Sequence, residues 1–194
     1  MIFFYKKYFL VNIKSGDKMK TILMTGARSG IAADVIKKIK TKNYKIYVAV
    51  HTDTQCKRIK KIYKNDKNIY CIKLDVTDKE NIKKLNKIDV DILISSAAIG
   101  DGGSISEIKM DKVRENFEVN MFSNFEIVQI VIKNMIKKDS GKINDKIFLL
   151  SDLIVPKKSN ISISGNRFID TIFIFNFYLI NRFVFVSTFF YNCI

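Results

Sequence analysis

The stretch Thr25-Gly26-Ala27-Arg28-Ser29-Gly30-Ile31-Ala32 decides how this sequence is read. It follows a short apolar run, Lys20–Thr25 (KTILMT), and leads into a segment where Ile31, Val35 and Ile39 share one helical face. Gly26 permits a sharp turn off the strand. Gly30 has no side chain, so a phosphate can approach the backbone where the new helix offers unpaired N–H groups and the positive end of its dipole. A small residue at position 32, here Ala32, lets the helix pack closely on the strand. Strand, spaced glycines and amphipathic helix in this order describe a phosphate-binding corner.

Downstream of this corner, strand-like and helix-like segments alternate. Tyr44–Val50 (YKIYVAV), Ile69–Asp75 (IYCIKLD), Val90–Ser96 (VDILISS) and Lys146–Leu150 (KIFLL) read as further strands. Between them, Asp53–Lys64 reads as a helix with Ile59 and Ile62 inward, and Asp78 caps a helix running through Ile82 and Leu85. Asp111–Lys138 reads as one long helix with Val113, Phe117, Met121, Val128, Ile132 and Ile136 near a single stripe. Apolar strands separated by helices predict βαβ units: a Rossmann-like, doubly wound α/β fold whose parallel sheet is covered on both faces.

The chain of 194 residues is 47% hydrophobic and 27% charged, which excludes general disorder and a fibrous repeat. Net charge is +15, but the lysines are spread over helices and turns, so a solvated basic surface is expected and a nucleic-acid role is not. Cys56, Cys71 and Cys193 are far apart, and His51 stands alone. Neither a disulfide framework nor a metal site is expected, and a reducing cytoplasm is the default compartment.

Composition divides the chain in three. Residues 1–18 are aromatic and basic and read as an extension ahead of Met19; residues 19–152 carry the alternating pattern; residues 153–194 diverge. Eight of the fifteen phenylalanines lie in 168–194, a tail open to three readings: a membrane-associating segment, an added strand, or a poorly folding surface.

TGARSGIA resembles the Thr-Gly-x-x-x-Gly-Ile-Gly motif of the short-chain dehydrogenase/reductase family, with alanine for the last glycine. Leu74-Asp75-Val76 resembles the family site where an aspartate contacts the adenine ring. Ser95-Ser96-Ala97-Ala98-Ile99-Gly100 resembles the Asn-Asn-Ala-Gly motif, with both asparagines replaced by serine. Asn120, in Asn116-Phe117-Glu118-Val119-Asn120, matches the helix asparagine that helps to hold a proton-relay water. The resemblance implies an NAD(P)-dependent oxidoreductase acting on a small carbonyl or alcohol, with copies pairing through helices. It implies cofactor contacts from Gly26, Arg28, Ser29, Gly30, Ile31, His51, Asp75, Val76, Ala97 and Asn120.

An acid closing the second strand would receive the ribose 2′-hydroxyl and select NAD. Here Val50 is followed by His51-Thr52-Asp53, so Asp53 comes late, while Arg28, His51, Lys57 and Arg58 could neutralise a 2′-phosphate. The balance leans towards NADP. The catalytic set implied by the resemblance is thinner: Asn120, and Ser151 beside Asp152, which stands at the usual serine position. Ile161-Ser162-Ile163-Ser164-Gly165 has the outline of the family's Tyr-Ser-x-Ser-Lys, with isoleucine and glycine at the two essential positions. Tyr63 and Lys67 have the right spacing but precede the third strand. The expectation is a cofactor-binding half with a C-terminal part that is truncated or degenerate.

Overall fold

Ile22, Leu23 and Met24 alternate sides on the first strand, and the whole architecture follows from burying both sides. The computed structural model describes residues 19–28, 30–100, 106–145 and 161–165, with the backbone alone at Ile31, Asp145 and 161–165. Six parallel strands run in the order β3-β2-β1-β4-β5-β6. They are β1 (Lys20–Met24), β2 (Tyr44–Val50), β3 (Ile69–Lys73), β4 (Ile92–Ile94), β5 (Gly141–Asp145) and β6 (Ile161–Gly165). The helices are α1 (Gly30–Ile39), α2 (Asp53–Ile62), α3 (Lys79–Lys83, continued by a 3-10 turn at Lys84–Lys87), α4 (Met110–Phe117) and α5 (Ser123–Lys137). The expected doubly wound sheet is therefore present.

Each face of the sheet has its own core. Ile22 and Met24 join Ile46, Val48, Ile92 and Ile94 beneath α1 and α2, which contribute Ala32, Val35, Ile36, Ile39, Cys56 and Ile59. Leu23, Ala49, Leu93 and Ile143 face the other way, against Ile82, Leu85 and the α5 residues Ile127, Val128, Val131, Ile132 and Met135. At the sheet's lower edge, Lys138 reaches Asp89 and Asp91, each at 2.7 Å, and Asp91 accepts the Thr21 N–H at 2.8 Å. This contact ties the end of α5 to the starts of β1 and β4.

Three expectations need correction. Ile62 is exposed, not inward, because α2 turns its Cys56–Ile59 side to the sheet. The long helix is not one continuous stripe. A π turn at Glu118–Phe122 separates α4 from α5, and the Ser123 N–H reaches back five residues to the Glu118 carbonyl. Beyond that turn the buried set is Ile127, Val128, Val131, Ile132 and Met135, which keeps Val128 and Ile132 of the expected stripe, while Phe117, ahead of the turn, and Ile136 are exposed. The fifth strand falls on Gly141–Asp145, ahead of the expected Lys146–Leu150, which lies outside the described residues. α5 ends at Lys137, Asp139 takes a positive φ of 45°, and the chain joins β4 at once, with Lys142 opposite Ile92. The cysteine expectation also changes: Cys56 of α2 and Cys71 of β3 form a disulfide, with Cα atoms 5.7 Å apart.

Candidate functional site

The sheet order reverses between β1 and β4. Helices leave these strands towards opposite faces, so a crevice opens above their carboxyl ends, the place where doubly wound folds hold ligands. Gly26 forms its floor. Its φ is +65°, and a Cβ built there would lie 2.5 Å from the Ser96 carbonyl and the Ala97 nitrogen. Only glycine fits, on conformation and on space. At Gly30, the first residue of α1, a Cβ would meet nothing within 4 Å. The space over the start of α1 is thus open. Arg28 projects into solvent from the turn between them.

Thr25 locks the two loops together. Its buried hydroxyl accepts the N–H groups of Ser96 and Ala97, at 3.0 and 3.1 Å, while its own N–H donates to the Ile94 carbonyl at 3.0 Å. The Ala27 N–H donates across to the Ala49 carbonyl at 3.2 Å, so the turn is fixed to both neighbouring strands.

Asn120 stands in the π turn and pairs with the loop after β4. Its side-chain carbonyl accepts the Ile99 N–H and its amide donates to the Ile99 carbonyl, both at 2.8 Å. One side-chain amide thus pairs with both main-chain groups of a single residue, Ile99, and ties the loop after β4 to the π turn. A second group of polar contacts lies over the carboxyl ends of β2 and β3. Asp75 accepts from the Thr77 N–H at 3.0 Å and the Thr77 hydroxyl at 2.8 Å, and its other oxygen lies 3.2 Å from His51 Nε2. The Thr77 N–H is the chief cause that holds the Asp75 carboxyl below its usual range. Val76 is half-buried against the second core. Asp53 is spoken for: it opens α2 and receives Lys73 at 2.8 Å, which also lowers its pKa. Thr52, its neighbour, forms the α2 capping box with Gln55.

The structure gathers Gly26, Arg28, Gly30, Ala97 and Asn120 around the crevice, and pairs His51 with Asp75 beside it. Ser29, the Ile31 side chain and Ser151 lie outside what is described. Tyr63 and Lys67 are elsewhere. They line a pocket of about 260 Å³ with Ile59 and Ile69, at the amino end of β3, opposite the crevice. Residues 161–165 form a strand beside β5, in which Cα atoms four apart are separated by about 13 Å, against about 6 Å along a helix. Two partners escaped the sequence reading. Thr25 lies within the glycine motif, where its sequence gives no sign of the buried bonds it makes, and the one signal for Asn124 is its i, i+4 spacing from Asn120.

The sequence pattern of the short chain dehydrogenase family matches residues 20–148. The chain belongs to this family. It is 28% identical over 122 residues to the probable short-chain type dehydrogenase/reductase VdlC of Helicobacter pylori, covering 62% of this chain and 45% of that protein. Among solved structures, a variant of ElxO with NADPH bound shares 26% identity and a TM-score of 0.62, covering 66% of this chain and 55% of the other. An actinorhodin polyketide ketoreductase, 20% identical over 66% of this chain and 52% of its own, has the same fold at a TM-score of 0.61. The chain spans about half the length of these relatives. Among the described residues, no helix is long and apolar enough to cross a membrane, and no group of three or more His, Cys, Asp or Glu could hold a metal ion.

Proposed function

We propose that residues 19–152 bind a nicotinamide dinucleotide, NADP in preference to NAD, and serve hydride transfer between that coenzyme and a small carbonyl or alcohol. The observation that carries this reading is the paired behaviour of two glycines: Gly26 is pinned against the loop after β4, while the space over Gly30 is open at the start of α1. Two phosphates fit such a corner, because unpaired N–H groups and the helix dipole face them with no side chain between. Bound there, the coenzyme supplies a nicotinamide carbon that gives or takes hydride. Asn120 and Ala97 shape the floor beneath its second half; Asp75 and Val76 border the adenine. The lean to NADP rests on Arg28 and His51, both exposed at the adenosine end, and on the engagement of Asp53 by Lys73. ElxO, at 25% identity, has a structure with NADP bound.

A second reading, a nucleotide-binding chain without turnover, is favoured by Ile161 and Gly165 where the resemblance would require tyrosine and lysine. One calorimetric titration of the purified chain with NADP and NAD, followed by a carbonyl panel, separates the outcomes. Saturable binding, tighter for NADP, is expected. No binding of either dinucleotide overturns the coenzyme reading, and binding without turnover leaves the second.

A further inference from the structure

We propose that Asn124, acting through Ser95, is a positioning residue that sets the nicotinamide half of the coenzyme site. This rests on the coenzyme reading above. Thr25, Ser95, Ser123 and Asn124 are buried polar side chains. Three of them form a chain across the sheet. The Thr25 hydroxyl lies 3.5 Å from that of Ser95, and Ser95 Oγ donates to Asn124 Oδ1. Asn124 Nδ2 then donates at 3.1 Å to the main-chain carbonyl of Asn120, the residue whose side chain brackets Ile99.

The route runs from the end of β1, through the end of β4, to the π turn and back to the loop after β4. Asn124 therefore holds that loop at two points: its start through Ser95, and Ile99 through Asn120. Asn120 Oδ1 and Nδ2 can pair with the two main-chain groups of Ile99 only while the π turn keeps its place against the sheet. Asn124 fixes that place, because its amide satisfies a carbonyl within the turn and its own carbonyl is satisfied by the strand. Burial makes the link unforgiving: a donor or acceptor left unpaired there has no water to turn to.

The two halves of a doubly wound sheet bind the two halves of a dinucleotide. Asn124 and Ser95 belong to the β4 side, away from Gly30, His51 and Asp75. Their loss should weaken the intact dinucleotide while sparing a ligand confined to the adenosine half. A general loss of stability would weaken both.

The test compares NADP with adenosine 2′,5′-bisphosphate (or NAD with ADP, if NAD binds better) by titration calorimetry on the full chain and two variants, Asn124→Ala and Ser95→Ala. Ser95→Ala removes one oxygen and little volume, so it stands in if Asn124→Ala does not fold. For both variants, about tenfold weaker dinucleotide binding is expected, with the adenosine fragment unchanged. The exchanged pair, Ser95→Asn with Asn124→Ser, should recover part of the loss. Equal weakening of both ligands, or of neither, overturns the proposal. Failure of the unmodified chain to bind either ligand sinks the coenzyme reading itself and is recognised before any variant is made.

Discussion

Gly26 and Gly30 are four residues apart and answer to different constraints. Gly26→Ala puts a side chain on a left-handed backbone and drives it into the main chain of Ser96 and Ala97. The conformation alone costs about 1–2 kcal/mol, so urea denaturation should show a loss of more than that, and dinucleotide binding should vanish with the loop. Gly30→Ala meets open space, so stability should stay within about 0.5 kcal/mol. On the coenzyme reading its methyl group would stand in the path of the phosphates, so dinucleotide affinity should fall about tenfold or more. A Gly30→Ala chain that binds NADP normally would contradict the placement of the phosphates. Both glycines were legible in the sequence because their motif is local and contiguous. Ser95 and Asn124 were not, because a hydrogen bond between residues 29 apart leaves no local pattern.

Among the elements, α3 has five residues and depends on its cap. Asp78 accepts the N–H groups of Glu80 and Asn81, at 2.8 and 3.2 Å. The Asn81 N–H is the leading cause that lowers the Asp78 pKa. A carboxyl depressed in the folded state stabilises it above the unfolded value of about 3.9, and that contribution is lost as pH falls through the lower folded value. Asp78→Ala should therefore melt at a lower temperature than the parent at neutral pH, with the gap narrowing in strong acid. A gap independent of pH would refute the assignment. This helix start was readable in advance, since a capping residue precedes an apolar pair, Ile82 and Leu85. The long helix was read as one continuous element because a π turn changes phase without any residue type that announces it; Val128 and Ile132 are buried as expected, Phe117 and Ile136 are not. The fifth strand was misplaced because KIFLL is more apolar than GKIND. Pairing with β4, beginning as soon as α5 ends, outweighed that local preference.

Across the whole molecule, the Cys56–Cys71 disulfide clasps α2 to β3. It joins residues 15 apart, and in the chain-entropy account a loop of that length adds about 3 kcal/mol of stability. Denaturation with and without dithiothreitol should show the oxidised chain more stable, and Cys56→Ser should abolish the difference. Equal midpoints under both conditions would mean that the two sulfurs are not joined in solution. The bridge could not be read from cysteine count or spacing, because an odd number of scattered cysteines carries no pairing rule; the α2–β3 connection supplies the proximity.

Every neighbour in the sheet is parallel, so no strand can find its partner through a short hairpin. β1 meets β2 early, but its other flank waits for β4, where Thr25 and Ser95 are separated by 70 positions. Contacts between such distant parts of a chain form slowly, since a large loop must close before they reward it. During synthesis the glycine corner therefore leaves the ribosome long before the wall that completes it. Until β4 emerges and docks, the Thr25 hydroxyl and the Gly26 turn lack the Ser96 and Ala97 main chain they close against, so on the coenzyme reading a whole dinucleotide can secure the complete crevice only in the last steps of folding.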